Sequence, residues 1–356
     1  MLPALRLRSI VVGTIWRRLC SKLAVTSVNK EMTVYLGNHQ FGVGIPCGAE
    51  GILHSVNRLI ELKGDQNNLT MLLVDFTNSF NLVDRTILLA EVRIRRPSII
   101  KWVELCYSRP ARLYYNEFIL SSSKGVQQGD PLWTLLFALI LHPLVNKIAT
   151  QCKLQLYAWY LDDNTIIGDT SEVAKALNII QAEGSSVVYI STSIKRRSFG
   201  HPLIPGCLED GVFPRNISSP ALGVKLLGGP VSLNHQYCND IVLSHVDKTI
   251  HLMNAVKSLK DPQSELLLLR NCTGVSRLCF TMCTTRPKKL QAAAMRLDQH
   301  LLQYLQQLIT GDDVGFGPVQ QRFATLPIRD GGLGVYTMAS TSLFTSLQFV
   351  TLLFQP

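Results

Sequence analysis

Acidic side chains are the scarce charge in this chain. Its 356 residues hold 25 Asp and Glu against 35 Lys and Arg, a formal net charge of +10, and no acid precedes Glu31. That imbalance points to a polyanionic partner, because Lys and Arg that neutralise phosphates release counterions and gain salt-sensitive affinity. Paired cysteine spacing is also missing. The nine cysteines are odd in number and form no CxxC pair, which excludes a disulfide framework and a zinc ribbon and points to a reducing, intracellular setting. Cys279 and Cys283 are one helical turn apart with no His or Cys pair following, so they are expected as buried apolar side chains. No apolar run reaches the ~18–20 residues that span a bilayer: Leu135 to Val145 is interrupted by His142-Pro143, and residues 343–354 are too few. No tandem repeat is present. Charged residues make up only 17% and hydrophobic ones 47%, which excludes a disordered chain and leaves room for one to three domains with a sizeable core.

The acids that are present stand in an informative order. Leu72-Leu73-Val74-Asp75-Phe76-Thr77-Asn78-Ser79-Phe80 is an apolar run closing on a carboxylate. Gly125-Val126-Gln127-Gln128-Gly129-Asp130-Pro131-Leu132 is a glycine-bracketed loop. Tyr160-Leu161-Asp162-Asp163 sits in a second apolar stretch. Joining a 3'-hydroxyl to a nucleoside triphosphate needs an activated oxyanion and a stabilised pyrophosphate, and two Mg²⁺ ions serve both ends of such a displacement. Mg²⁺ takes oxygen ligands and keeps several waters, so few protein carboxylates are needed. Asp75 and Asp162 are the candidates to bridge two ions, with Asp163 a more peripheral ligand. Without cations, three clustered carboxylates would repel one another.

Local pattern places these residues. Residues 70–76 read as a buried strand, and 154–160 and 164–168 as two short strands with Leu161-Asp162-Asp163 at their hairpin tip. A tip aims neighbouring aspartates where a flat strand would send them to opposite faces. Residues 49–62 have helical spacing, with Ile52, Val56, Leu59 and Ile60 on one face. A long helix is expected over 131–150, opening on Pro131, and another over 171–182 with Ser171 as N-cap. Residues 200–220, rich in Pro, Gly and Ser, read as loop. Residues 236–310 are dominated by helical periodicity, which Gly311 to Gly317 breaks.

These segments resemble motifs A, B and C of reverse transcriptases, in that order, and are most similar to the non-LTR retrotransposon type of plant genomes. VDFTNSFNLVDR, GVQQGDPL, LLFALILHPLV, YLDDNTIIGD, GVKLLGGP, DPQSELLLLR and LPIRDGGLGVY carry the resemblance from about residue 8 to about residue 340. It implies an α+β fold: a right-hand polymerase palm, a small antiparallel sheet backed by helices, over residues 70–235. Residues 1–69 would be a partial fingers region, 236–310 a helical thumb-like region and 311–356 a tail. It implies RNA-directed DNA polymerase activity with Mg²⁺ or Mn²⁺ held by Asp75, Asp162 and Asp163. The partners would be an RNA or DNA template with its primer and a dNTP, with no membrane and no protein partner. Phe76, Phe80, Gln128, Gly129, Arg8 and Lys195 would lie about the nucleotide, Phe80 as a gate against a 2'-hydroxyl. Leu227 and Gly228 would belong to the turn that grips the primer.

The sequence also departs from that pattern. Trp133-Thr134 stands where the family has Gly-Pro after motif B, and Ile190 to Arg197 matches motif D poorly. The fingers-like sequence is short, as in a partial copy of an element. A catalytically inactive remnant that at most binds nucleic acid is therefore the alternative expectation. Residues 1–25 combine Arg and Ser without acid, a mitochondrial transit composition. The competing account, fingers sequence from Arg8 onward, goes with a nuclear or cytoplasmic protein.

Overall fold

The structure is a computed structural model. It describes residues 13–64, 68–77, 79–127, 129–187, 191–199, 213–214, 217–218, 220–311 and 315–344, and for 77, 115, 120, 185–187 and 191–199 the backbone alone. The chain divides into two compact units, Met1–Ala221 and Leu222–Pro356. It mixes helices with small antiparallel sheets.

The first unit begins with helices α1 (Ile15–Leu36) and α2 (Gly48–Lys63). Strand β1 (Leu69–Thr77) follows, then short helix α3 (Ser79–Leu82), α4 (Arg85–Arg95) and α5 (Ile100–Tyr107). A hairpin of β2 (Ala111–Tyr115) and β3 (Phe118–Ser122) leads to α6 (Trp133–Gln151). Strands β4 (Leu154–Tyr160) and β5 (Asp163–Asp169), helix α7 (Thr170–Val187) and β6 (Ser191–Phe199) complete it. The main sheet has the order β4-β5-β1-β6, antiparallel throughout. Strand β1 is therefore central, and apart from Thr70 both its faces are apolar up to Asp75: Leu69 to Val74 are all buried. Leu72, Val74 and Phe76 face the main core with Trp159 and Ile166, where α6 buries Leu135 to Leu141.

Three expectations change here. Helix α6 starts at Trp133 rather than Pro131, because Asp130 holds the turn before it: Oδ1 accepts from Leu132 N at 3.0 Å and the carbonyl from Trp133 N at 3.0 Å. Helix α7 starts at Thr170, and Ser171 is not its N-cap. The carboxylate of Asp169 takes that part, accepting from both the backbone N and the hydroxyl of Ser171. Helix α6 also has the length and apolarity to cross a membrane, unlike the short apolar runs expected there, yet most of it is buried within the unit. The expected loop over 200–220 lies almost wholly outside the described residues.

One core position runs against the apolar rule. Asn164 is 1% exposed and neither amide atom has a hydrogen-bond partner. It stands in register between Val74 and Trp159. A buried amide without partners costs about 1–3 kcal/mol. Asn164→Val, which suits a strand, is expected to raise stability by about 1 kcal/mol or more, read as a higher urea midpoint at unchanged slope.

The second unit opens on a small hairpin of β7 (Val224–Leu226) and β8 (Gly229–Val231). Helices α8 (His235–Lys257), α9 (Pro262–Leu268), α10 (Cys279–Thr284), α11 (Pro287–Thr310) and α12 (Pro318–Thr325) follow. Helix α11 buries Leu290, Ala293, Ala294, Leu297, Leu301, Tyr304 and Leu305, the three-and-four spacing of one helical face. That face packs with Val242, Val246 and Met253 of α8. Asp298 on α11 accepts from Met338 N at 2.6 Å and Ala339 N at 2.9 Å, tying down the residues after α12. Cys279 is exposed and Cys283 half-buried, contrary to expectation, because α10 buries Thr281, Met282 and Thr284 instead.

Candidate active site

The expected hairpin tip is a two-residue loop. Tyr160 pairs with Asp163, so Leu161 and Asp162 alone connect β4 to β5, and Asp163 is the first residue of β5. Leu161 adopts φ +58°. A leucine in the left-handed region costs roughly 1–2 kcal/mol, so contacts elsewhere must hold it there. Its side chain is 8% exposed in the main core, which offsets that cost.

Asp75 stands opposite Asp163 in the β1–β5 ladder and opposite Ser193 in the β1–β6 ladder. Register partners share a sheet face, so Asp75 and Asp163 lie side by side on the face away from Phe76. Asp75 is exposed, and Asp162 and Asp163 are half-buried. Asp162 Oδ2 accepts from Ser79 Oγ at 2.9 Å, which ties the hairpin loop to the first residue of α3, just beyond β1. Among the described residues no group of three or more His, Cys, Asp or Glu side chains could hold an ion by itself. The side chains of Asp75, Asp162 and Asp163 nonetheless offer only carboxylate oxygens. That suits Mg²⁺ or Mn²⁺, which are held through one or two carboxylates and complete their shell with water and substrate phosphate.

No protein-family model matches the chain, and no curated protein matches it either. Among solved structures it is similar to telomerase from Candida albicans in complex with a TWJ fragment of telomeric RNA, at 8% identity and TM-score 0.40, over 89% of this chain and 56% of that one. It is also similar to apo telomerase from Candida tropicalis, at 12% identity and TM-score 0.44, over 95% of this chain and 58% of that one. The chain thus spans a little over half the length of these two structures.

The other expected site residues are dispersed. Phe76 is 1% exposed and packs on Trp159 with ring centroids 5.6 Å apart. Strand alternation puts it in the core, and the structure does not bring it to the aspartates. Phe80 is half-buried, with Trp133 edge-on at 4.6 Å and Phe137 at 4.5 Å. The indole that replaces Gly-Pro therefore packs against the expected gate residue. Gly129 is exposed with φ +105°, a conformation that favours glycine. Lys195 is opposite Leu73 on β6, two positions from Ser193. Leu227 and Gly228, with φ +46° and +93°, form the two-residue turn between β7 and β8 in the second unit, the pairing a tight type I′ hairpin requires. Arg8 and Gln128 lie outside the described residues.

The support of the Gln-Gly loop is what the sequence reading missed. Arg85, 7% exposed, donates from Nε to Gly125 O at 2.9 Å and from its terminal nitrogens to Ser122 O at 2.7 Å, Ser122 Oγ at 3.0 Å and Lys124 O at 3.2 Å. Gly125 N and Val126 N donate to Val83 O and Phe80 O at 2.8 and 2.7 Å. Gly125 has φ +73°, and a Cβ there would stand 2.5 Å from the Phe80 carbonyl oxygen, so only glycine fits. On the far side, buried Asp130 meets Arg17 of α1. Nε donates to Oδ2 at 3.1 Å, and a terminal nitrogen stands equally close to it. The Tyr107 phenol donates to the same oxygen at 3.4 Å. Burial, then the nearby Asp130 charge, pushes the phenol pKa well up, so it keeps that proton. The loop joins the chain beyond Asp75 through hydrogen bonds that fix its backbone.

Proposed function

We propose that this chain is an RNA-directed DNA polymerase of the retroelement type, extending a primer 3'-end with deoxynucleotides. The observation that carries the reading is the register of Asp75 against Asp163, with Asp162 in the loop beside them. Two Mg²⁺ ions bound there would activate the primer hydroxyl and neutralise the leaving pyrophosphate. Asp75 and Asp162 would hold them, with Asp163 at the periphery, and Ser79 would keep Asp162 turned toward β1. The Gly125–Asp130 loop would present backbone to the nucleotide, with Phe80 below the sugar. The excess of Lys and Arg suits a template–primer duplex, held by its backbone while base pairing reads the sequence. Leu227 and Gly228 would meet the primer, and Arg8, Gln128 and Lys195 the triphosphate. A non-LTR element acting in the nucleus or cytoplasm fits the order of the motifs and the absence of paired cysteine spacing in the sequence.

A second reading rests on Trp133. Its edge-on contact with Phe80 narrows the space that Gly-Pro would leave open, and favours a remnant that binds nucleic acid without chemistry. Primer extension on an RNA template with dNTPs, in Mg²⁺ and then Mn²⁺, separates the two. The wild type is expected to extend the primer and Asp162→Ala to add no nucleotide. A folded wild type that binds template–primer and extends nothing would establish the remnant.

A further inference from the structure

The segment between α1 and α2 runs beside the β4–β5 hairpin and bonds to its backbone. Gln40, 3% exposed, bridges Trp159 in parallel. Phe41 N donates to Trp159 O at 2.7 Å, and His39 Nδ1 lies 3.2 Å from Tyr157 O. The loop leaves Leu161 N–H outside the strand ladder, and Gln40 supplies its acceptor: Oε1 receives Leu161 N at 2.9 Å and Gly42 N at 3.0 Å. Gly42 closes the contact. A Cβ there would stand 2.7 Å from Leu161 Cγ and 2.9 Å from Leu161 N. The left-handed residue of the loop is thus gripped at its amide by a side chain 121 residues away in sequence.

We propose that Gln40 is a positioning residue: by fixing the amide of Leu161 it sets the loop that directs the Asp162 carboxylate, and so tunes divalent-cation affinity. This rests on the reading of Asp162 as a metal ligand. Gln40 itself touches neither metal nor substrate. Its role is that of an outer partner whose loss typically weakens metal binding 10–100-fold.

The test uses the full chain, with Mn²⁺ binding by electron paramagnetic resonance and hydrogen–deuterium exchange across residues 160–163. Gln40→Met keeps the length and removes the acceptor. It is expected to speed exchange at 160–163 about tenfold, leave the β1–β5 ladder protected, and weaken Mn²⁺ binding about tenfold. Gln40→Glu keeps an acceptor oxygen at the same reach and is expected to restore both. Wild-type exchange or wild-type Mn²⁺ affinity in Gln40→Met overturns the proposal. Should that variant not fold, Gly42→Ala crowds Leu161 from the other side with Gln40 intact, and unchanged Mn²⁺ affinity there overturns it equally. A wild type that binds Mn²⁺ yet extends no primer overturns the polymerase reading alone. Bound Mn²⁺ with unaffected variants overturns the role of Gln40 alone. A wild type that binds no Mn²⁺ overturns both.

Discussion

Asp75→Asn is expected to lower single-nucleotide incorporation by about 10³-fold or more while leaving the fold intact. The substitution keeps the shape of the side chain and removes one negative charge. Asp75 is exposed at the exit of β1, so its loss disturbs no packing, and surface changes of this kind stay within about 0.5 kcal/mol in stability. The catalytic effect is of another size. A carboxylate bridging two ions contributes to both nucleophile activation and leaving-group neutralisation, and about 4 kcal/mol of lost transition-state stabilisation is a factor of about 10³. Asp169→Asn provides the control, since Asp169 is also exposed, at the far end of β5, and asparagine keeps the oxygen that accepts from Ser171. Rapid-quench incorporation in Mg²⁺ measures both. An Asp75→Asn rate within tenfold of wild type would remove Asp75 from the proposed metal site.

The second large effect is structural. Arg85→Ala is expected to destabilise the first unit by about 2–4 kcal/mol, because the buried Gly125 carbonyl loses its donor at about 1–3 kcal/mol and the part-buried contacts to the Ser122 and Lys124 carbonyls are lost with it. Burial lowers the pKa of this guanidinium, and the charge of Arg17 lowers it further. It stays charged nonetheless, since arginine is not deprotonated in proteins. Arg85→Lys is expected to recover less than half of the loss, because one ammonium cannot match a planar fork aimed at several oxygens. Urea unfolding of the three proteins decides the point. A lysine variant as stable as wild type would show that charge, not geometry, secures the Gln-Gly loop.

Some of this arrangement is legible in the sequence and some is not, for physical reasons. Strands β1, β4 and β5 announce themselves because buried strands need apolar runs, and the aspartates interrupt those runs at their ends. Strand β6 is hidden, because Lys195-Arg196-Arg197 fall within it and erase the pattern. The β2–β3 hairpin is hidden as well: Tyr114, Phe118 and Ile119 are exposed, so burial imposes no alternation there. The aspartates of the candidate site can be named from their flanks. The residues that support the hairpin tip and the Gln-Gly loop cannot, because Arg85, Arg17 and Gln40 reach partners 37–40, 113 and 121 positions away, and no local periodicity encodes such pairings. Phe76 shows the opposite failure. It is adjacent to Asp75 in sequence and on the opposite side of the sheet in space.

The ion pair between Arg17 and Asp130 also bears on how such a chain can be divided. A carboxylate 4% exposed in the Gln-Gly loop is held by a cation from the first helix together with the Tyr107 phenol and the Leu132 amide, and removing the cation of a buried pair is strongly destabilising. The stretch bearing the three motifs is therefore not an autonomous cassette. Excised or recombined without α1, it would keep this buried carboxylate without its cation. Keeping the loop stable thus calls for keeping a helix whose arginine stands 113 positions earlier in the chain.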